Sequence, residues 1–230
     1  MDIKQNIKAV KEKISKSAEM SGRSAGEICL VAVSKKVNTH RIVEAFKNGI
    51  RVFGENYAQE VRDKFKIVED RIGEKPAWHF IGKLQRNKVK YLVGKIDLIH
   101  SLDNLSAADE INKRALELGV DTSVLIEINS GGELSKGGID FNESEEFIDQ
   151  LSELKSIRIK GLMTMPPYFD DPERSRMYFR DLRNLRDNLR MKYPNIEELS
   201  MGMSDDFEVA IEEGATIVRI GTSIFGPREN

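Results

Sequence analysis

The sequence has 230 residues, of which 40% are hydrophobic, enough to build one full core without requiring a second domain. Its 36 basic and 38 acidic residues give a formal net charge of -2, so nothing in the charge balance favours nucleic acid or an anionic membrane as a partner. The single cysteine, Cys29, excludes an internal disulfide and a cysteine-based zinc site.

The first 20 residues predict an amphipathic helix. Ile3, Ile7, Val10 and Ile14 recur at helical spacing, with charged residues between them. The segment is too polar for a signal peptide, and no stretch of the chain reaches membrane-spanning length. We therefore expect residues 1–20 to pack on a larger domain, and the protein to remain in the cytoplasm without a membrane partner.

Short apolar runs and amphipathic stretches alternate along the rest of the chain. Strands are predicted near 28–34, 51–53, 77–81, 96–99, 122–128, 157–162, 197–200 and 216–220. Helices are predicted near 39–48, 56–70, 84–94, 103–118, 142–153, 172–191 and 204–213, with a short one after Ser223. Eight strand–helix alternations predict parallel strands closed into a (β/α)8 TIM barrel, a single α/β domain over residues 1–230.

Lys35 follows the apolar run of the first predicted strand, at the end of the barrel where such folds carry their chemistry. A desolvated ammonium group has a lowered pKa, which supplies the neutral amine that a Schiff base with a carbonyl ligand needs. Pyridoxal 5'-phosphate is one such ligand. The alternative for a single strand-end lysine is that it simply reaches water.

Small residues occupy the starts of the last two predicted helices. The runs Ser200-Met-Gly-Met-Ser204 and Arg219-Ile-Gly-Thr222 offer backbone N–H groups and hydroxyls where barrels commonly bind phosphate. Alternatively, Ser204 only caps a helix that begins at Asp205, and Gly221 is a turn residue. A lysine at the first strand and a phosphate site at the last two fit one ligand with both an aldehyde and a phosphate.

Arg219 bears on what such a ligand could do. A guanidinium only donates hydrogen bonds, so an arginine that faced a pyridine nitrogen would keep that nitrogen unprotonated and weaken the ring as an electron sink. Enzymes that stabilise a strong carbanion more often place a carboxylate there. The alternative for Arg219 is a salt bridge at the strand end.

Other polar and apolar residues near the strand ends have structural interpretations. His79 is either a barrel histidine with a bonded partner or a neighbour of the ligand ring. Met163 is interpreted as packing. The three histidines are too scattered in sequence to suggest a metal site, and the charged runs 60–71 and 173–192 predict solvated helix faces.

The motifs taken together resemble those of the pyridoxal phosphate homeostasis protein family, single-domain relatives of the alanine racemase N-terminal barrel. The resemblance runs in order from about residue 28 to 226. The strings that carry it are Val31-Ala-Val-Ser-Lys35, Phe53-Gly-Glu-Asn-Tyr57, Trp78-His-Phe-Ile-Gly82, Leu84-Gln85, Asn87-Lys88, His100-Ser-Leu-Asp103, Ser135-Lys-Gly137, Gly161-Leu-Met163, Ser200-Met-Gly-Met-Ser204 and Arg219-Ile-Gly-Thr222.

The resemblance implies a site for pyridoxal 5'-phosphate. Lys35 would carry the cofactor as a covalent Schiff base, and Arg219 would meet the pyridine nitrogen. The phosphate would be held by Ser204, Gly221 and Thr222. The ring pocket would be lined by Asn56, His79, Ile81 and Met163. One departure is the run Lys36-Val37-Asn38, where the family pattern has threonine, lysine and proline; strand alternation should point Lys36 away from Lys35.

The function implied is a monomeric protein that stores, shields or delivers the cofactor without turnover, with recipient apoenzymes as further partners. The alternative is a pyridoxal phosphate-dependent amino-acid racemase, which needs a second acid/base opposite Lys35. In alanine racemases that group is a tyrosine of the partner's C-terminal domain, for which a chain ending at Asn230 leaves no room. A Schiff-base aldolase would need only Lys35 and the phosphate site, and Arg219 and the ordered motifs argue against it.

Overall fold

The computed structural model describes residues 2–132 and 137–227, which form a closed barrel of eight parallel strands in sequence order. The strands are β1 Cys29–Val33, β2 Val52–Glu55, β3 Ala77–Phe80, β4 Leu98–Leu102, β5 Thr122–Glu127, β6 Ile157–Met163, β7 Glu198–Ser200 and β8 Ile217–Ile220. The barrel closes between β1 and β8, where Val31 lies opposite Arg219. The predicted TIM barrel is therefore confirmed.

The N-terminal helix α1, Ile3–Met20, packs on the barrel as the sequence predicts, with all four of its spaced apolar residues buried. Asp2 caps it, since its carboxylate accepts the Lys4 N–H at 2.9 Å. Asn6 donates to the carbonyl of Ile224 at 2.9 Å, which ties the helix to the last turn of the chain. This helix therefore covers the seam where the barrel closes.

The remaining helices lie outside the barrel and return the chain between strands. They are α2 Thr39–Lys47, α3 Ala58–Ile72, α4 Leu105–Leu118, α5 Ser144–Ser152, α6 Arg176–Arg190, α7 Phe207–Glu212 and α8 Thr222–Phe225. Most of the core lies between these helices and the strands, where Trp78 stacks on Phe65 with ring centroids 3.9 Å apart. None of the helices in the described part of the chain has the length and hydropathy of a membrane span.

Two predicted helices differ from the structure. The segment predicted at 84–94 is a 3-10 helix, Arg86–Tyr91, followed by a turn. Val89 within it and Leu92 directly after it are buried and three residues apart, a spacing that a 3-10 turn buries as well as an α-helix does. The helix predicted at 204–213 begins only at Phe207, because residues 203–206 form a turn.

The interior of the barrel is small and has two parts. An apolar cluster fills one side, formed by Val31, Leu98, Leu125, Met163 and Ile217. Polar side chains fill the rest, among them His79, His100, Ser200 and Arg219, all buried. Because the carboxyl ends of all eight strands meet at one end of the barrel, the loops that carry the predicted site residues are brought together there.

Candidate functional site

Lys35 lies in a tight turn immediately after β1. The turn spans Ser34 to Val37 and is closed by a hydrogen bond from the Val37 N–H to the Ser34 carbonyl at 3.0 Å. Lys35 is half-buried, whereas Lys36 is exposed and has a φ of 58°. Since β1 ends at Val33, both lysines lie beyond the strand, and the expectation that strand alternation separates their side chains was wrong. The turn, and not the strand, separates the two side chains.

Arg219 lies at the C-terminal end of β8, inside the barrel and 4% exposed. Its guanidinium donates to the Ser200 carbonyl at 2.8 Å, to the Ser200 hydroxyl at 2.5 Å and to the Thr164 carbonyl at 3.0 Å. Burial lowers the pKa of Arg219 to about 10, although Glu127 and Asp206 oppose this shift. Arg219 therefore stays cationic at neutral pH, and its five N–H groups leave donors for a ligand beyond these three bonds.

A chain of hydrogen bonds continues from Arg219 through the interior. The Ser200 hydroxyl lies 2.8 Å from Nδ1 of His100, and Nε2 of His100 lies 2.9 Å from Nδ1 of His79. Arg219 can only donate, so the Ser200 hydroxyl accepts from it. The two bonds of His100 can run in either direction, because a hydroxyl has two lone pairs and the roles of the ring nitrogens depend on the tautomer. A neutral His100 therefore donates to one of its two neighbours and accepts from the other.

Both histidines of this chain are held neutral. Burial lowers the pKa of His79 to about 4, opposed by Asp97. Burial, His79 and Arg219 lower the pKa of His100 well below its usual value. Neutral imidazoles can accept and donate at once, which the chain of hydrogen bonds requires. His79 is therefore a barrel histidine with a bonded partner, one of the two interpretations of its sequence position, and its contact with a cofactor ring stays a prediction.

His79 also faces the opposite end of the barrel. It lines a cavity of about 420 Å³ at the N-terminal ends of the strands, together with Cys29, Asp97 and Glu198. His79 therefore reaches the N-terminal side of the interior, whereas Asn56 and Ile81 follow their strands at the C-terminal end. Among the described residues, no group of histidine, cysteine and carboxylate side chains could hold a metal ion, even though two of the three histidines are in contact.

Glu127, the last residue of β5, brings a titratable carboxyl group to the same end of the barrel as Lys35. It is buried, and burial together with the nearby Asp103 raises its pKa to about 7, while Arg219 and Lys83 act in the opposite direction. The predicted strand 122–128 has Glu127 near its end, but no role was predicted for this residue. A carboxyl group that titrates near neutral pH is suited to exchange a proton with a ligand.

Glu127→Gln should make the stability of the protein less dependent on pH. Between pH 4.5 and about 7 the folded state keeps the proton that the unfolded state has lost, so this contribution is complete below pH 4.5 and is lost as pH rises through 7. The variant should gain roughly 3 kcal/mol relative to the wild type between about pH 4.5 and pH 8. Urea unfolding of both proteins at the two pH values tests this. If the variant and the wild type differ in free energy of unfolding by the same amount at both pH values, the pKa of Glu127 lies near its ordinary value.

Asn56 and Ile81 follow β2 and β3 at this end of the barrel. The Asn56 side-chain oxygen is buried and has no hydrogen-bond partner within the described structure, so it is an acceptor left for a ligand. The loops are pressed together, since a Cβ on Gly82 would lie 2.1 Å from the Asn56 carbonyl oxygen. Ile81 lies over Gly54, and Met163 is 1% exposed within the apolar cluster of the interior.

The residues predicted to hold phosphate lie after the neighbouring strands β7 and β8. The two loops are tied by a hydrogen bond from the Arg219 N–H to the Gly202 carbonyl at 3.0 Å. Gly221 is buried and precedes α8, whose first N–H groups have no acceptor within the helix. Ser204 is half-buried in a turn in which Asp206 accepts the Met203 N–H at 2.7 Å. Ser204 is therefore not the N-cap of α7.

Charged residues of α3 were predicted to be solvated, and this was wrong for two of them. Glu60 and Lys64 pair with each other, with side chains only 20% and 14% exposed. Both contact the backbone of the Lys35 turn. In the sequence, this ion pair is indicated by the spacing of four residues between Glu60 and Lys64, which places both side chains on one helix face. The motif Ser135-Lys-Gly137 gives no comparable information, because Ser135 and Lys136 lie outside the described residues.

Comparison with known protein families identifies the barrel. The family model described as alanine racemase, N-terminal domain, matches residues 3–229. A pyridoxal phosphate homeostasis protein of Aquifex aeolicus is 50% identical over 232 residues, which span 100% of both chains. The protein of the same name from Escherichia coli K12 is 42% identical over 99% of this chain and 97% of its own.

Among solved structures, this chain is similar to PipY of Synechococcus elongatus, determined with pyridoxal phosphate bound. The TM-score is 0.81, the sequence identity 34%, and the match covers 93% of this chain and 100% of PipY. The similarity in sequence and in fold therefore extends over essentially the whole of these relatives, and not over one module of a larger protein.

Proposed function

This chain belongs to the pyridoxal phosphate homeostasis protein family, built on the alanine racemase N-terminal barrel, and we propose that it holds pyridoxal 5'-phosphate on Lys35 without turnover. Full-length relatives of that name support the cofactor, as does the bound cofactor in PipY. The observation that carries the proposal is a buried, cationic Arg219 on the strand next to the one that leads into Lys35.

The polar groups at the C-terminal end of the barrel fit this cofactor. Asn56 offers a buried acceptor that has no partner among the described residues, and Arg219 has donors beyond those it gives to Ser200 and Thr164. Lys35 supplies the primary amine. When bound, pyridoxal phosphate supplies an aldehyde that condenses with an amine and a ring that withdraws electrons.

Arg219 limits the chemistry of the site. Its guanidinium is held by three hydrogen bonds to Ser200 and Thr164 and stays protonated at neutral pH, so it can only donate to a ring nitrogen. A nitrogen that accepts from Arg219 has no proton of its own, and the ring then withdraws electrons weakly. This arrangement favours holding the cofactor over turnover.

The phosphate is assigned to Ser204, Gly221 and Thr222, and the ring pocket to Asn56, His79, Ile81 and Met163. We also propose that the protein works as a cytoplasmic monomer and that recipient apoenzymes take up the cofactor from it. Borohydride reduction of the protein loaded with pyridoxal phosphate, followed by peptide mass spectrometry, tests the central claim. The added mass should lie on the peptide that contains Lys35.

Ser204→Ala should weaken binding of pyridoxal phosphate about tenfold or more without abolishing it. One hydrogen bond to a charged phosphate is worth roughly 1.5–3 kcal/mol, while backbone donors at Gly221 and Thr222 remain. Fluorescence titration measures the affinity. Pyridoxal, which has no phosphate, should bind both proteins equally, and the exposed Ser106→Ala provides the matched control. Equal losses for both ligands would show that Ser204 does not contact the phosphate.

One observation favours the alternative, an amino-acid racemase. Glu127 titrates near neutral pH at the same end of the barrel as Lys35, so it could act as the second acid/base that racemisation needs. Hydrogen exchange at the α-carbon of an amino acid distinguishes this possibility from a carrier.

A further inference from the structure

Three ionisable residues on the outer side of the barrel surround the turn that carries Lys35. Glu55 ends β2, and Glu60 and Lys64 lie one turn apart on α3. Lys64 donates to Glu55 at 3.2 Å and also bonds Glu60. We call Glu55, Glu60 and Lys64 the turn clamp.

The turn clamp contacts the backbone on both sides of Lys35. Lys64 donates to the carbonyl of Ser34 at 2.8 Å. Glu60 accepts the N–H of Lys36 with both carboxylate oxygens, at 2.9 and 3.2 Å. The Ser34 hydroxyl in turn donates to Glu55 at 2.8 Å. The two peptide groups that flank Lys35 are therefore each held by a charged side chain.

The conformation that the clamp holds is unfavourable by itself. Among the described residues, Lys36 is the one non-glycine with a positive φ, 58°. Such a conformation persists only where the surroundings hold it in place. The bidentate contact from Glu60 is made to the N–H of this same residue, so the strained position and its support coincide.

Burial and hydrogen bonding act differently on the two carboxyl groups of the turn clamp. Glu55 is fully buried, and one of its oxygens has no partner in the described structure. Burial raises the pKa of Glu55 to about 7, against the effect of Lys64. For Glu60, burial is outweighed by hydrogen bonds from Lys64 and from the Lys36 backbone, which hold its pKa below the ordinary value. Glu60 is thus a carboxylate at neutral pH, as its role as acceptor requires.

We propose that Glu60 and Lys64 are positioning residues, which fix the turn so that the Lys35 amine is directed at the cofactor aldehyde while the Lys36 amine is turned to solvent. The inference rests on the proposed function, because it assumes that Lys35 is the reacting amine. The hydrogen bonds of the clamp are made to the backbone on either side of Lys35, so we expect the clamp to act on formation of the covalent bond. Glu60 and Lys64 also line one cavity with Gly221 and Thr222, so recognition of the phosphate has to be measured separately.

Two ligands separate these effects. Pyridoxal phosphate has the aldehyde, whereas pyridoxine 5'-phosphate has an alcohol in its place and binds only non-covalently. In Glu60→Ala and Lys64→Met, the covalent bond to pyridoxal phosphate should form on the order of tenfold to a hundredfold more slowly, as expected for a displaced reacting group. The affinity for pyridoxine 5'-phosphate should be unchanged. Glu60→Gln should recover part of the rate, since its amide oxygen can still accept the Lys36 N–H.

Stopped-flow absorbance gives the rate, and borohydride trapping with mass spectrometry gives the modified lysine. Lys66→Met and Asp70→Asn, exposed on the same helix, are the matched controls. Equal losses for both ligands would show that the clamp maintains the fold or the phosphate site, and unchanged rates would show that it does not act on Lys35; either result overturns the inference. A wild-type adduct on a lysine other than Lys35 would instead refute the proposed function.

Discussion

Lys35→Ala should abolish the covalent adduct with pyridoxal phosphate and leave the barrel folded. Lys35 lies half-buried in the turn after β1, and its side chain is not part of the packed core. Its removal therefore takes away an amine but little packing. Borohydride trapping of the variant should give no cofactor mass on any peptide, and thermal unfolding should shift by no more than the few degrees typical of a surface substitution.

Lys36→Gly is the matched control, because glycine accepts the positive φ that Lys36 adopts and lacks its amine. This variant should retain the adduct on Lys35. If the adduct disappears from Lys36→Gly and persists in Lys35→Ala, the two lysines have been assigned in the wrong order. The two variants should give clearly different results, because Lys35 and Lys36 are adjacent in sequence but differ in the exposure of their side chains.

The barrel could be predicted because its pattern is local. The strands are short, largely apolar runs, and except after β3 each is followed by an α-helix, so the alternation alone specifies parallel strands. The same reasoning located Lys35 and Arg219, since a strand end is visible in sequence. Even α1 could be recognised, from four apolar residues at helical spacing.

The features of the site that could not be predicted from the sequence depend on contacts between residues that are distant in the chain. Ser200, His100 and His79 form one hydrogen-bonded chain only because three separate strands bring them to neighbouring positions inside the barrel. Glu60 and Lys64 looked like part of a solvated face because their buried partners belong to β2 and to the turn after β1. Charge alone does not show whether a helix face is covered.

The distinction between carrier and racemase depends on proton transfer at the substrate α-carbon. An amine at Lys35 and a carboxyl group at Glu127 provide two titratable groups at one end of the barrel. Against this, an Arg219 that meets the ring nitrogen as proposed would keep that nitrogen without a proton, so an α-carbanion would receive little stabilisation. Because a carbanion is the costly species in racemisation, we expect the effect of Arg219 to decide the outcome.

The protein loaded with pyridoxal phosphate should therefore catalyse no appreciable α-hydrogen exchange when incubated with L-alanine or other L-amino acids in deuterated water. Exchange should be at least about a thousandfold below the 1 s⁻¹ typical of slow enzymes. Proton NMR of the α-position reports abstraction even where no net inversion occurs, so a one-sided reaction by Lys35 alone would also be seen. Exchange at an enzyme-like rate, lost in Glu127→Gln but not in the exposed Glu117→Gln, would identify a racemase with Glu127 as its second acid/base. Enzyme-like exchange that persists in Glu127→Gln would equally refute a carrier, and would show that Arg219 does not suppress the carbanion.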